Sequence, residues 1–318
     1  MDKDIREFLE YIELERGHSQ LTIRNYNAYL SKFAAFAEEN GIKDASKIDM
    51  DIIKKWRLKL HRKELSNKTL NYYMIAIRSF LKYLSKNDRV SMAPEKIELA
   101  DTPEHEISFL EKDEVDRILQ VYNGSDLMDL RNHAILEVLF STGVRVSELA
   151  GLNIDQINLE RCEFSVFGKG GKVRVVFLSE DARDALKKYL AKRHDKDNAV
   201  FIRVVTVRKE DQEKETQRIT SRQIERIVKE AAKRAGVVKD VTPHTLRHSF
   251  ATDILRNGAD LRSVQHMLGH TSVTTTQVYT HVTDKHLREV HERFHNRQNS
   301  ESRDQKPEKK SDIMAEND

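Results

Sequence analysis

Apolar residues recur at helical spacing through the first 86 residues. Ile5, Phe8, Leu9 and Ile12 line one face of a first helix, and Leu21, Tyr26, Leu30 and Phe33, opened by Ser19, line a second. Ser46 and Ser66 stand where N-caps belong before two more periodic runs, the last carrying Leu70, Tyr73, Ile77, Phe80, Leu81 and Leu84. Short helices with short connections predict a compact helical bundle over residues 1–86. From 87 to 110 the period is lost, Pro94 and Pro103 oppose a continuous helix, and Glu95, Glu98, Asp101, Glu104 and Glu106 make the stretch polar. That composition predicts an exposed, partly flexible linker.

The second domain is expected over 111–298. It opens with helical patterns at 111–121 and 126–142, a turn at Gly143 and a short helix, VSELAGL. The period then changes to two: 163–167 and 172–178 flank GKGG, which predicts a hairpin with a glycine turn. The run 199–204 is a candidate third strand, and the charged residues 205–219 lack an apolar face, as a surface excursion or extended hairpin would. Helices resume near Thr220, and Thr242 followed by Pro243 is a strong helix start. The fold class expected is therefore mainly α in two domains, an N-terminal helical bundle and a C-terminal α+β domain with a small antiparallel sheet. Residues 299–318 lose all periodicity and are expected to form a disordered charged tail.

Composition narrows the class without naming a function. The chain of 318 residues is 38% hydrophobic and 34% charged, which suits a globular protein with a heavily charged surface. Its single cysteine, Cys162, excludes a disulfide framework or a cysteine-based zinc site within one chain and fits a reducing compartment. No run of about 18 apolar residues occurs, and the first residues are acidic and amphipathic rather than signal-like. A cytoplasmic protein with no membrane partner is expected. The net charge of +3 is small, but seven basic residues (Lys54, Lys55, Arg57, Lys59, Arg62, Lys63 and Lys68) face one acid, Glu64, between 54 and 68. Such a stripe suits a DNA backbone, although taken alone it reads first as a solvated helix face.

Breaking a phosphodiester without a metal requires a nucleophile, cationic donors for the phosphate oxygens and an acid for the leaving oxygen. STGVRVSELAGL places Arg145 after a glycine turn, with Glu148 three residues on as a salt-bridge partner. FGKGGKVRVVFL puts Lys169 at the hairpin tip, with Lys172 and Arg174 following; a lysine there can enter a groove and protonate a departing 5′ oxygen, or decorate an ordinary basic turn. VTPHTLRHSFATDIL sets His244, Arg247 and His248 in the first turns of a well-marked helix. LRSVQHMLGHTSVTTTQVYTHV holds His270 and, nine residues later, Tyr279, whose phenol attacks only once its proton is removed. Singly, each of these has an ordinary structural reading.

Together, TGVRVSELAGL, GKGGKVR, PHTLRHSFAT and MLGHTSVTTTQVYTH resemble, in order, the motifs of the tyrosine site-specific recombinases, in their Xer-like branch. The resemblance covers roughly 1–298 and implies a SAM-like, DNA-clamping N-terminal domain before a DNA breaking-rejoining catalytic domain. It implies that Arg145 and Arg247 bind the scissile phosphate, that Lys169 rather than Lys172 is the general acid, and that His244 and His270 assist. Tyr279 would attack phosphorus to give a 3′-phosphotyrosyl enzyme, with Glu148 orienting Arg145 and His248 in support. No metal, ATP or other cofactor is implied. The implied partners are double-stranded DNA with a specific recombination site, further copies of the chain as a tetramer on two sites or a related recombinase, and a DNA translocase. Resolution of chromosome or plasmid dimers is the role the branch implies.

The charged stretch 203–218 departs from the family's shorter connection. Beyond Tyr279, DKHLREVHERFH predicts a final helix with Leu287, Val290 and Phe294 on one face, to dock in a neighbouring protomer or on its own domain. A mobile-element integrase or transposase, or a type IB topoisomerase, shares the chemistry. Readings of another class are a non-catalytic DNA-binding protein and a metal-dependent hydrolase. The latter would use the i, i+4 pairs His244/His248, His266/His270 and His291/His295, but Thr245 stands where its catalytic glutamate belongs.

Overall fold

A computed structural model describes residues 1–89, 92–102, 109–168, 173–204 and 217–269. The chain divides into two compact units, Met1–His105 and Glu106–Asp318.

The first unit is the expected bundle: α1 (Asp2–Leu14), α2 (Gln20–Glu39), α3 (Met50–His61) and α4 (Asn67–Lys86). Ser19 and Ser66 cap α2 and α4 by accepting from the backbone N–H of Thr22 and Thr69. Ser46 does not cap α3. Asp49 takes that place, accepting from Ile52 N at 3.0 Å, while Ser46 lies in a preceding 3-10 turn capped by Asp44. The carboxylate is a strong N-cap acceptor and stands directly before the helix, so the period starts later than the serine suggests. Phe8, Leu30, Phe33, Trp56, Ile77 and Phe80 fill the centre, with the Phe8 and Phe80 rings edge-on at 5.6 Å.

Part of the expected linker belongs to this unit. Met92 and Ile97 are buried in its core. The Asn71 amide brackets the peptide of Ala100, donating to its carbonyl and accepting from its N–H, each at 2.8 Å, and Asn67 donates to Asp101 O at 2.9 Å. Two apolar anchors and three side-chain-to-backbone bonds hold a segment that has no period to betray it. The polar composition was therefore misleading as far as residue 101.

In the second unit α6 (Leu127–Thr142), which follows α5 (Lys112–Leu119), is buried around most of its circumference, from Arg131 to Leu139, and forms the central rod. After α7 (Val146–Gly151) come β1 (Ile157–Asn158), β2 (Glu163–Phe167) and β3 (Val173–Phe177) in an antiparallel sheet of order β1-β2-β3. The register pairs Phe164 with Val176 and Val166 with Arg174, so these four residues share the inward face. Residues 199–204 do not supply the third strand, which is β1. Among the described residues they make isolated bridges, Asn153 to Ala199 and Ile202 to Arg218, and Val200, Phe201 and Ile202 are buried. Phe201 stacks on Tyr189 of α8 (Glu180–Lys192) with ring centres 5.7 Å apart.

Helix α8 had no counterpart in the sequence reading, although Ser179 caps it and Ala182, Ala185, Leu186 and Tyr189 are its buried stripe. The charged excursion is pinned where it leaves and rejoins the core: Arg203 N donates to Gln217 O at 2.6 Å and Ile219 N to Phe201 O at 2.9 Å. Helices α9 (Ser221–Arg234), α10 (Pro243–Arg256) and α11 (Leu261–Leu268) complete the described unit. The C-terminal helix expected beyond Tyr279 and the tail 299–318 lie outside the described residues. No helix among the described residues is long and apolar enough to cross a membrane.

One buried carboxyl makes this core sensitive to pH. Glu137 of α6 is buried with His133 Nε2 at 4.0 Å; burial, with the charges of Asp181 and Asp116, pushes its carboxyl from 4.5 up to about 7. Between those values the folded state holds a proton that the unfolded chain releases, so this group's contribution is complete below about 4.5 and is lost as pH rises through 7. Glu137→Gln is expected to raise the melting temperature more at pH 8 than at pH 5; an equal shift at both would contradict the assignment.

Candidate active site

The site is built from the ends of helices. Helix α6 stops at Gly143, whose φ is +58° and where a Cβ would stand 2.4 Å from the Phe250 ring. Glycine is required there both for its left-handed backbone and for space. The turn delivers Arg145 to the N-cap position of α7.

Glu148, in the first turn of α7, is the hub. Its side chain is only 6% exposed and accepts from Arg145 N at 2.8 Å and Arg145 Nη1 at 2.9 Å. The same two oxygens accept from Nη1 and Nη2 of Arg174, both at 2.8 Å, a bidentate pair. Burial alone would raise the Glu148 carboxyl, but the hydrogen bonds from Arg174 and Arg145 hold it below its ordinary value. It is therefore ionised at neutral pH.

Arg247, in the first turns of α10, is buried; Nη1 donates to Gly143 O at 2.5 Å and Nη2 to Leu268 O at 2.6 Å. The Thr242 cap and Pro243 foreseen in the sequence fix this helix start. Arg145 Nη2 donates to Gly269 O at 3.2 Å and Arg174 Nε to Met267 O at 3.3 Å. Three guanidiniums thus take three consecutive carbonyls at the C-terminal end of α11, which have no acceptor role left inside the helix.

On α10 the two histidines differ. His244 is exposed, whereas His248 is half-buried and its imidazole is lowered to about 4 by burial and by the charges of His244 and Arg247. These surroundings hold His248 neutral at pH 7.

Of the residues singled out in the sequence, Arg145, Glu148, Arg247, His244 and His248 thus lie on α7 and on the N-terminal half of α10. Lys169, Lys172, His270 and Tyr279 lie outside the described residues. Arg174, expected as a DNA contact, faces inward: its side chain is 14% exposed and its donors go to Glu148 and Met267. The physical reason is strand parity, which puts it on the same face as Phe164, Val166 and Val176, where a guanidinium requires a carboxylate. The parity of β2 was the available signal. On the N-terminal unit, Lys54, Lys55, Arg62, Lys63 and Lys68 are exposed. Arg57 donates to Glu98 O, and Lys59 pairs with Glu39 at 3.0 Å with its ammonium 4.7 Å from the Phe36 ring centre.

Arg145 and Arg247 are thus held in place by hydrogen bonds to Glu148 and to the carbonyls of Gly143, Leu268 and Gly269.

Comparison with known proteins agrees with this geometry. Residues 108–286 match the phage integrase family, and residues 5–88 match the phage integrase N-terminal SAM-like domain. The chain is 36% identical over 303 residues to the tyrosine recombinase XerD of Oceanobacillus iheyensis, covering 92% of this chain and 98% of that protein. It is 35% identical over 307 residues to the tyrosine recombinase XerC of Lacticaseibacillus casei, covering 93% and 100%. Among solved structures, XerA recombinase is similar with a TM-score of 0.51 at 34% identity, covering 92% and 98%. XerH site-specific recombinase bound to a palindromic difH substrate, in a post-cleavage complex, shares the fold with a TM-score of 0.68 at 23% identity, covering 91% and 84%. With both domains matched and relatives about 35% identical over most of its length, the chain belongs to the phage integrase family and is an Xer-like site-specific tyrosine recombinase, an enzyme that cleaves and rejoins DNA.

Proposed function

We propose that Arg145 and Arg247 bind the non-bridging oxygens of the scissile phosphate while the Tyr279 oxygen attacks phosphorus. The bond to O5′ breaks as the P–O(Tyr) bond forms; the phenol's proton passes to a nearby base, and Lys169 gives a proton to O5′. The product is a 3′-phosphotyrosyl enzyme and a free 5′ hydroxyl. A 5′ hydroxyl from the partner strand then reverses each transfer, so the phosphodiester energy is kept and the scheme needs no ATP, metal or other cofactor. His244 and His270 assist the proton transfers, and neutral His248 supports the helix that carries Arg247.

One observation carries this reading: two guanidiniums are fixed by Glu148 and by the carbonyls of Gly143, Leu268 and Gly269, and His270 and Tyr279 follow in the chain directly after that clamp. The substrate is double-stranded DNA with a specific site. Lys54, Lys55, Arg57, Lys59, Arg62, Lys63 and Lys68 are the candidate backbone contacts of the N-terminal unit, which clamps the duplex. The working assembly is a tetramer on two sites, of this chain alone or with a related recombinase, with the helix after Tyr279 docked between protomers and a DNA translocase as regulator. Resolution of chromosome or plasmid dimers in the cytoplasm is the role proposed, supported by the relatives named XerC and XerD.

On nicked duplexes carrying the site recovered from DNA crosslinked to the protein, Tyr279→Phe is expected to abolish the covalent adduct while binding in a mobility-shift assay survives; persistence of the adduct would refute the nucleophile. Lys169→Ala is expected to slow cleavage by roughly 10²-fold or more. A sulfur at the 5′ bridging position, whose thiolate leaves without a proton, should restore the rate, and rescue of Lys172→Ala instead would move the acid to that residue. Glu148→Gln leaves two guanidiniums facing a neutral amide and is expected to cost roughly 3 kcal/mol of stability in urea denaturation, an effect of the size seen when one partner leaves a buried pair.

A further inference from the structure

We infer that Arg174 is a positioning residue for strand cleavage, acting by fixing the β2–β3 arm, and with it the arm's lysine, against the two helix ends that carry the phosphate-binding arginines. This inference rests on the proposed function.

The two strands meet at Phe167 opposite Val173, so residues 168–172, with Lys169 and Lys172 among them, form the connection between them. Phe164, Val166 and Val176 anchor the sheet in the core, and Arg174, paired with Val166, is the inward-facing residue of β3 nearest the connection. Arg174 is the second residue of β3 and lies just behind that connection. Its guanidinium reaches out of the sheet to three places at once. Both oxygens of Glu148, on the helix entered by Arg145, accept from it at 2.8 Å, and the carbonyl of Met267 accepts from Nε at 3.3 Å.

Gly269 completes the fit. At φ +64° it ends α11, and a Cβ there would stand 3.1 Å from both Cδ and Nη1 of Arg174. The glycine that ends the helix thus also leaves the room in which the arginine lies. This side chain therefore ties the connection end of the arm to α7 and to the carbonyl end of α11. A lysine at this position would keep the charge but lose the planar fork that engages both oxygens of Glu148 while Nε reaches Met267.

A residue that acts through the arm's proton donor has a signature that a merely structural residue lacks. If Arg174 serves to place the lysine, its loss matters only while the leaving oxygen needs a proton. With the same nicked duplexes, Arg174→Ala is expected to slow formation of the Tyr279 adduct about 10²-fold on the ordinary phosphodiester. On the 5′-bridging phosphorothiolate substrate it should run within a few-fold of wild type. Arg174→Lys should show a smaller loss with the same rescue, and it gives the readout should the alanine variant fail to fold by circular dichroism. Equal loss on both substrates would make Arg174 structural only, and undiminished cleavage would make it dispensable; either overturns the inference. Failure of the proposed function reads differently, because wild-type protein would then form no Tyr279-dependent adduct on either substrate.

Discussion

Everything at the site leans on one buried carboxylate. Glu148 accepts four N–H groups, from the backbone and side chain of Arg145 and from the fork of Arg174. Two cations beside each other would repel, and a lone buried anion would be costly to desolvate; the three together leave one net positive charge in fixed geometry. That is a useful condition for a phosphate site. The net charge sits on side chains that have already lost their freedom, so an anion bound there would leave little ordering to be done.

The end of α11 meets the same need from another side. A helix C-terminus carries about half a negative charge, which would repel DNA phosphate. Donors from Arg174, Arg247 and Arg145 cover the carbonyls of Met267, Leu268 and Gly269 in succession. The negative end of the helix is thereby covered by positive charge. The geometry also requires glycine at both Gly143 and Gly269, each left-handed and each in close contact with a side chain from elsewhere in the unit.

Much of this was legible before any coordinates. Ser19, Ser66 and the Thr242–Pro243 pair announce helix starts by local chemistry that tertiary contacts do not override. Arg145 and Arg247 were identified because their motifs stand in order, not because either residue is unusual alone. The misreadings came where meaning depends on a partner far along the chain. Arg174 resembles any cation on a basic arm until strand register turns it inward toward Glu148. Met92 and Ile97 are two apolar residues in a polar stretch, and only the bundle beneath them makes them core. Asp49 competed with Ser46 for one cap, and the nearer acceptor won. Helix α8 carries its own local signals, a cap at Ser179 and an apolar stripe of Ala182, Ala185, Leu186 and Tyr189.

The pinned base of the charged excursion carries a consequence for how this enzyme can vary. Arg203 and Gln217 close the segment between them, and the Ile219–Phe201 bond behind it ties the closure to the core. Once the ends are joined, the entropy of the enclosed loop grows only with the logarithm of its length, about 0.6 kcal/mol for each doubling. The number of residues between these ends is therefore nearly decoupled from the stability of the catalytic unit. An insertion between these joined ends would thus leave the helix ends that carry Arg145 and Arg247 where they are.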